Sequence, residues 1–178
     1  WDGRRTEILR HEAMLPYLRD QYGNASSAHS RGREAKKALD RSRETLARTL
    51  GASNAECICF TGSGTEAINL AIKGAASARR GKGNHIVTSA VEHPAVLNTC
   101  KALRAQGYDV TYVKPDATGI VSAGSVAGAL RPETVLISIM HANNETGTIN
   151  PVREIGSIAR ERNVLSHIDA VQSFCKLP

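Results

Sequence analysis

The sequence has few aromatic residues and no long apolar run, and each shortage excludes a class of protein. Aromatic residues make up 4% of the 178 residues, yet 41% are apolar, enough to bury the core of one domain and too many for a disordered chain. No apolar run approaches the roughly 18 residues that a membrane span needs, so we expect no membrane association. The 15 glycines and 6 prolines follow no period, which excludes a collagen-like chain.

Cysteine and histidine are scarce and their spacing fits no metal centre. The four cysteines form no C-x-x-C pair, and the six histidines have no H-E-x-x-H spacing, so we expect neither a metal site nor a redox dithiol. Cys57 and Cys59 lie two positions apart in a strand-like run and would share one face. We expect buried free thiols, which fit a reducing compartment and a cytoplasmic protein.

The chain is basic, with 23 Lys and Arg against 17 Asp and Glu and a formal net charge of +6. Basic chains include nucleic-acid-binding proteins. Here the charges alternate in sign within helical segments such as residues 33–37, which is typical of a solvated helix face, so we expect no nucleic-acid partner. No apolar stretch follows residues 2–5, so we expect no signal peptide. Position 1 is not Met, so we expect a chain truncated at its N-terminus.

Helix-like and strand-like segments alternate along most of the chain. Helical periodicity or helix-start signals mark residues 33–50, 65–78, 94–106, 125–130 and 151–162, with Asn150 as a cap. Short apolar runs predict strands at residues 57–60, 86–88, 110–113, 135–140 and 164–168. The first ten or so residues match no element, and no linker is visible. The alternation predicts an α/β fold with a largely parallel sheet sandwiched by helices.

Four polar stretches follow predicted strands. They cover residues 61–65, 89–93, 141–147 and 169–172. Ligands of parallel α/β sheets bind at the carboxyl ends of the strands. We therefore expect the functional site in these stretches.

The first stretch is a glycine-containing turn that opens a predicted helix. Its glycines let the backbone approach an anion, and the helix N-terminus offers free N–H groups, so a phosphate is the expected ligand. No Lys-Ser or Lys-Thr follows, so the turn is not a Walker motif. Gly62, Gly64 and Ala67 do fit G-x-G-x-x-A, which leaves a dinucleotide-binding oxidoreductase domain as one alternative and a plain tight turn as another.

Polar side chains follow the other strands too. Asp169 and Gln172 suit a pyridine ring that bears a phenolate, because the carboxylate holds the protonated ring nitrogen and the amide donates to the oxygen. His93 could stack on a flat cofactor or transfer protons. For Asp169 and His93 the alternatives are turn, capping or packing roles, and for residues 141–147 a polar loop.

Five segments together resemble the cysteine desulfurase family, within the class-V aminotransferases that use pyridoxal phosphate. They are Gly-Asn-Ala-Ser-Ser-Ala-His-Ser (23–30), Phe-Thr-Gly-Ser-Gly-Thr-Glu-Ala-Ile-Asn-Leu-Ala (60–71), Val-Glu-His-Pro-Ala-Val (91–96), His-Ala-Asn-Asn-Glu-Thr-Gly (141–147) and His-Ile-Asp-Ala-Val-Gln-Ser (167–173). The Asn-Asn-Glu-Thr-Gly stretch resembles the branch that serves general iron–sulfur assembly and its selenocysteine lyase relatives. The resemblance implies that residues 14–178 are part of the large, cofactor-binding domain of a fold-type-I enzyme, after an atypical segment 1–13.

The resemblance also implies a role for each residue at the ring. His93 matches the histidine that stacks on the pyridine ring and is proposed to move protons, which makes it the expected catalytic residue. Asn144 and Gln172 match residues near the phenolate oxygen. Asp169 matches the partner of the ring nitrogen.

At the other end of the cofactor, Gly64 and Thr65 match the contacts to the phosphate. The implied reaction takes sulfur from L-cysteine as an enzyme persulfide and leaves L-alanine, for iron–sulfur cluster or thio-cofactor assembly. The implied partners are a sulfur-acceptor or scaffold protein and a second copy of the enzyme in a homodimer.

The chain also departs from the family pattern. Residues 1–10 carry no Asp-x-x-Ala-Thr-Thr stretch, and Lys176 does not match the Schiff-base lysine, which follows a Ser-x-His farther along in relatives. The persulfide cysteine and the substrate-binding arginine are also expected beyond residue 178. We therefore expect the N-terminal half of a desulfurase, inactive on its own. A non-enzymatic remnant that pairs with a partner subunit is the alternative.

Overall fold

The computed structural model of the chain describes residues 3–177. It divides into two compact units, the first ending at Phe60 and the second beginning at Thr61. No α-helix within this range combines the length and apolarity that a membrane crossing requires.

The first unit is helical. Helix α1 spans Gly3–Arg19, helix α2 spans Ser30–Leu50, and a 3-10 turn covers Ala55–Cys57. The expectation that the first ten or so residues match no element is therefore wrong for residues 3–10. Their lack of an amphipathic pattern hid the helix from a reading based on periodicity.

Helix α2 begins three residues earlier than predicted because His29 caps it. The His29 ring nitrogen Nδ1 accepts a hydrogen bond from the Gly32 N–H at 3.3 Å. The imidazole thus takes the place of the Ser, Thr, Asp or Asn that usually signals a helix start. The other end is as predicted, since Gly51 adopts a left-handed φ of 65° that stops the helix.

The strand predicted at residues 57–60 is wrong. The Asn54 side chain accepts a hydrogen bond from the Cys57 N–H at 3.2 Å, which starts the 3-10 turn. Such local side-chain-to-backbone bonds compete with strand pairing. Residues 58–60 form no strand in the described structure.

This correction changes the setting of the thiols. Cys57, Cys59 and Cys175 are exposed, and only Cys100 is buried. The prediction of buried free thiols is therefore correct for Cys100 and wrong for the other three.

The second unit contains the sheet. Its strands are β1 (His85–Ser89), β2 (Asp109–Val113), β3 (Thr134–Met140) and β4 (Leu165–Asp169). They are ordered β2-β1-β3-β4 and every pair is parallel. Every residue of β3 is buried, as expected for a strand with neighbours and covered faces on both sides. The predicted parallel α/β class is confirmed.

Four helices accompany the sheet. They are α3 (Gly64–Ala78), α4 (Pro94–Ala105), α5 (Ala123–Ala129) and α6 (Val152–Glu161). Adjacent residues of β3 enter different apolar clusters, Leu136 with Ile72 and Val96 of α3 and α4, and Ile137 with Ile155 of α6. Because neighbouring side chains of a strand point to opposite faces, the helices cover both faces of the sheet.

Asn150 does not cap α6, contrary to the prediction. Its amide nitrogen donates to the Met140 carbonyl at 2.9 Å, and its Oδ1 accepts from the Val121 N–H at 2.9 Å. Both are backbone groups that need a partner in a buried setting, and Asn150 itself is 2% exposed. Pro151 takes the N-cap position instead.

Candidate functional site

A pocket of about 280 Å³ lies at the carboxyl edge of the sheet in the second unit. It is lined by all six residues that the sequence pattern singled out for a cofactor: Gly64, Thr65, His93, Asn144, Asp169 and Gln172. The four polar stretches therefore meet in space. The role of each residue stays a prediction.

Four apolar or small residues complete the pocket, and none of them was named as a site residue from the sequence. They are Ile68, Met140, Ala142 and Val171, of which Ala142 and Val171 lie within two of the four predicted stretches. Helical spacing could have found Ile68, which lies three positions after Thr65 and so shares its face of α3. Val171 lies between Asp169 and Gln172, but no residue pattern marked it.

The turn before α3 is built to start a helix. The Ser63 Oγ accepts from the Glu66 N–H at 3.2 Å, and the Glu66 carboxylate accepts from the Gly62 N–H at 2.7 Å. This pair resembles a capping box, except that the glutamate accepts from the residue before the N-cap, and it satisfies two N–H groups at the helix start. The turn follows no strand, so the G-x-G-x-x-A fit lacks the strand that a dinucleotide-binding motif requires.

Gly64 gives a ligand room at the start of α3. A Cβ added there would lie 3.3 Å from Cγ2 of Val171, across the pocket lining. Together with Thr65, Gly64 presents the first turn of α3 to the pocket. A helix N-terminus with free N–H groups and little side chain favours an anion.

His93 has a capping role as well as a place in the pocket. Its Nδ1 accepts a hydrogen bond from the Ala95 N–H at 3.1 Å, which caps α4. In the neutral imidazole the hydrogen is then on Nε2. The ring therefore offers a donor to the pocket while its other nitrogen is engaged by the helix.

Asp169 has one engaged and one available carboxyl oxygen. Its Oδ1 accepts from the Val171 N–H at 3.0 Å, and within the described residues Oδ2 has no hydrogen-bond partner. Its backbone carbonyl accepts from the His141 N–H at 2.9 Å, which fixes the end of β4 beside the next loop. The arrangement suits a cationic N–H group in the pocket.

The amides of Gln172 and Asn144 differ in their surroundings: one contacts a lysine and the other lies on an exposed loop. Gln172 Oε1 accepts from Lys176 Nζ at 3.4 Å, which leaves the amide N–H₂ as a donor. Asn144 is exposed on a loop that its neighbour Asn143 holds in shape. The Asn143 Oδ1 accepts from the backbone N–H groups of Glu145 and Thr146, both at 2.9 Å. Asn143 is thus structural, and Asn144 faces the pocket.

A second buried carboxyl lies close to the pocket. Burial raises the pKa of Glu92 to about 7, although hydrogen bonds from the Ser89 hydroxyl and the Met140 N–H oppose the shift. The negative charge of Asp169 raises the pKa further. No pattern in the sequence predicted a role for Glu92.

Fold and pocket together define a parallel α/β domain with a small polar pocket at the carboxyl edge of its sheet. A family model described as "Aminotransferase class-V" matches residues 10–178. The chain belongs to the class-V aminotransferase family.

Curated relatives within this family are cysteine desulfurases. The chain is 50% identical over 168 residues to the cysteine desulfurase IscS of Anaeromyxobacter sp. (strain K), and 50% identical over 174 residues to that of Methanosarcina thermophila. These matches cover 94% and 98% of this chain but 41% and 42% of the relatives. The chain thus spans about two fifths of the length of the curated relatives it matches.

Solved structures agree. One described as "SspA in complex with cysteine" superposes with a TM-score of 0.86 at 46% identity and covers 93% of this chain and 48% of that one. A "NIFS-LIKE PROTEIN" superposes with a TM-score of 0.86 at 40% identity and covers 94% and 46%. The resemblance to cysteine desulfurases and the predicted fold are confirmed.

Proposed function

We propose that the chain supplies the cofactor-binding part of a pyridoxal-phosphate-dependent cysteine desulfurase. The observation that carries the proposal is the convergence of the six sequence-predicted residues on one pocket. The names of the relatives support the reaction, which takes sulfur from L-cysteine and releases L-alanine. One similar structure was solved with cysteine, which supports this amino acid as the substrate.

The chemistry of the pocket fits pyridoxal phosphate at three points. The first turn of α3, with no side chain at Gly64, suits the phosphate. The available Oδ2 of Asp169 suits the protonated ring nitrogen. The amide N–H₂ of Gln172 suits the phenolate oxygen, because Lys176 already occupies the amide oxygen.

When bound, pyridoxal phosphate supplies an electron sink for bonds that break at the amino-acid substrate. Asp169 would hold the proton on the ring nitrogen that this chemistry requires. Gly64 and Thr65 would hold the phosphate. Each charge-assisted hydrogen bond of this kind contributes about 1.5–3 kcal/mol.

His93 acts through its Nε2 atom. Because Nδ1 accepts the Ala95 N–H, the ring is held at one orientation by the start of α4. His93 can then stack on the cofactor ring and donate from Nε2, and any proton it moves must pass through that atom. Asn144 adds an amide on the side of the 141–147 loop.

The proposal includes a division of labour along the polypeptide. None of the ten residues described as lining the pocket is a lysine, and Lys176 contacts Gln172. We place the Schiff-base lysine, the persulfide cysteine and the substrate-binding arginine outside residues 1–178, and residues 14–178 in a partial cofactor domain. On its own the chain would then not turn over cysteine.

The resemblance of the five segments extends the proposal to the wider reaction. The persulfide sulfur passes to an acceptor or scaffold protein for iron–sulfur cluster or thio-cofactor assembly. The complete enzyme is a cytoplasmic homodimer. Light scattering during size-exclusion chromatography of the natural gene product tests the dimer.

The test of function compares the natural gene product with the 178-residue chain. We expect the natural protein to bind pyridoxal phosphate, visible by its absorption, and to release alanine from cysteine. Borohydride reduction and peptide mapping should place the adduct on a lysine outside residues 1–178. An adduct on Lys176 would refute the division of labour, and a natural protein that binds a nicotinamide dinucleotide instead would refute the function.

A further inference from the structure

Glu92 is almost fully buried, and its two carboxyl oxygens differ in their contacts. The residue is 4% exposed. Its Oε1 accepts from the Ser89 hydroxyl at 2.7 Å and from the Met140 backbone N–H at 3.0 Å. Its Oε2 is the one buried side-chain oxygen or nitrogen of the described residues that has no hydrogen-bond partner.

The hydrogen bond from Met140 to Glu92 takes the place of a backbone hydrogen bond between β1 and β3. The pairing of β1 with β3 ends at Thr88 and Ser138, two residues before Met140. Beyond that point the chain after β1 turns away, and the Glu92 side chain reaches back to the Met140 N–H. A buried N–H group needs such a partner. Glu92 therefore links the segment after β1 to the end of β3, where the backbone hydrogen bonds between the two strands have stopped.

A second side chain makes the same link in the opposite direction. The Asn143 amide nitrogen donates to the Val91 carbonyl at 3.0 Å, from the loop after β3 to the turn after β1. The two linked segments carry His93 on one side and Met140 and Asn144 on the other, and all three line the pocket. The two hydrogen bonds therefore connect the segments that carry these lining residues.

We propose that Glu92 is a positioning residue of the pocket, which joins the carboxyl ends of β1 and β3 as a neutral carboxyl group with its proton on Oε2. Any effect of Glu92 on catalysis rests on the proposed function. Its role in joining the two strands rests on its hydrogen bonds alone. The arrangement leaves the negative charge beside the ligand to Asp169.

The neutral form follows from the surroundings. An ionised carboxylate would leave a charged Oε2 buried without any donor, whereas a protonated carboxyl removes that charge. The titratable groups that act on Glu92 give no compensation: Asp169 at the end of β4 is negative, and Cys100 of α4 carries no positive charge in either form. Two negative charges at this edge would also repel each other.

The first test observes the proton directly. The natural gene product is labelled with ¹³C at the glutamate carboxyl carbon, and its NMR signals are followed from pH 4 to pH 9. We expect one signal to titrate near pH 7, to vanish in Glu92→Gln and to persist in Glu161→Gln, a matched change at an exposed glutamate of α6. If every glutamate titrates near the ordinary pKa of 4.5, the proton assignment is wrong.

The second test observes the link. Hydrogen exchange of the Met140 amide should stay slow in Glu92→Gln, whose Oε1 still accepts, and should become at least roughly tenfold faster in Glu92→Asp and Glu92→Ala, which cannot reach it. The amide of Ile137 in the same strand serves as the internal control for folding. Unchanged exchange at Met140 in both shortened variants would refute the positioning role.

Neither test uses the cofactor. A protein that fails to bind pyridoxal phosphate but passes both tests refutes the proposed function and leaves the structural role of Glu92 intact. A protein that binds the cofactor but fails either test refutes this inference alone.

Discussion

Met140 of β3 and Asp169 of β4 are register partners at the carboxyl ends of their strands, and both line the pocket. Partners in register on neighbouring parallel strands point to the same face of the sheet. The Asp169 carboxyl therefore stands beside an apolar thioether side chain and is itself 8% exposed. In such a setting its attraction for a cationic ring nitrogen is screened less than in water.

This relationship predicts a large effect of neutralising Asp169. In the natural protein, Asp169→Asn is expected to lower the kcat for alanine release about 100-fold, the usual size for one preorganised electrostatic contact. The amide keeps the size of the side chain and can still accept the Val171 N–H, so the loss reports charge. Asp40→Asn, at an exposed position of α2, is the matched control. Equal kcat values for Asp169→Asn and the natural protein would contradict the ionic role.

Two glycines of α3 allow the effect of a methyl group on ligand binding to be measured apart from its effect on helix stability. Gly64→Ala places a Cβ 3.3 Å from Val171, so we expect about tenfold weaker binding of pyridoxal phosphate, followed by absorbance titration. Gly74→Ala meets nothing within 4 Å in the middle of the same helix and should stabilise the protein by about 0.5–1 kcal/mol with unchanged binding. Equal binding by both variants would show that Gly64 does not border the ligand.

His93 is expected to show two separable effects. His93→Ala removes the cap of α4 and should cost about 1 kcal/mol in the free energy of unfolding, measured in urea. His93→Asn supplies another good capping side chain and should recover most of that stability. Both variants lose the imidazole, so both should lose alanine release to the same extent. Activity that followed stability across the two variants would assign His93 to the helix alone.

The second unit was predictable from the sequence because its local signals and its packing agree. The buried run of β3 and the Pro94 helix start lie where the pattern placed them, and the strand-end rule located three of the four stretches that meet at the pocket, since no described strand precedes residues 61–65. The site residues were found by chemistry and by resemblance rather than by burial. His93, Asn144 and Asp169, distant in sequence, meet because the parallel order of the sheet aligns the carboxyl ends of β1, β3 and β4. Gly64 is instead brought to the pocket by the start of α3, which no strand precedes among the described residues.

Predictions from the sequence were wrong where a side chain forms a hydrogen bond that local patterns do not reveal. Asn54 bonds the Cys57 N–H and turns an apolar run into a 3-10 turn. Asn150 looks like a helix cap by its position before Pro151, yet its side chain binds two distant backbone groups. Glu92 is one more polar residue in the sequence, and its importance depends on a Met140 N–H that no spacing rule reveals.

The last prediction concerns pH and the stability of the fold. The pKa of Glu92 is about 7 in the folded protein, against an ordinary value of 4.5. Between these values the unfolded chain has released the Glu92 proton while the folded protein still holds it, so stability falls as pH rises. Burial lowers the pKa of His85 and His167, which contribute in the opposite sense, since stability falls as pH drops below 6.5.

Both histidines remain in Glu92→Gln, so subtracting its unfolding free energy from that of the natural protein isolates Glu92. We expect this difference to fall by about 3 kcal/mol between pH 4.5 and pH 7.5 and to level off above, because one pKa unit corresponds to about 1.4 kcal/mol. Urea unfolding at half-unit pH steps measures it, with Glu161→Gln as the control whose difference should stay flat. A flat difference for Glu92→Gln as well would mean that folding does not raise the pKa of Glu92, and the link between β1 and β3 would then carry a charge at neutral pH.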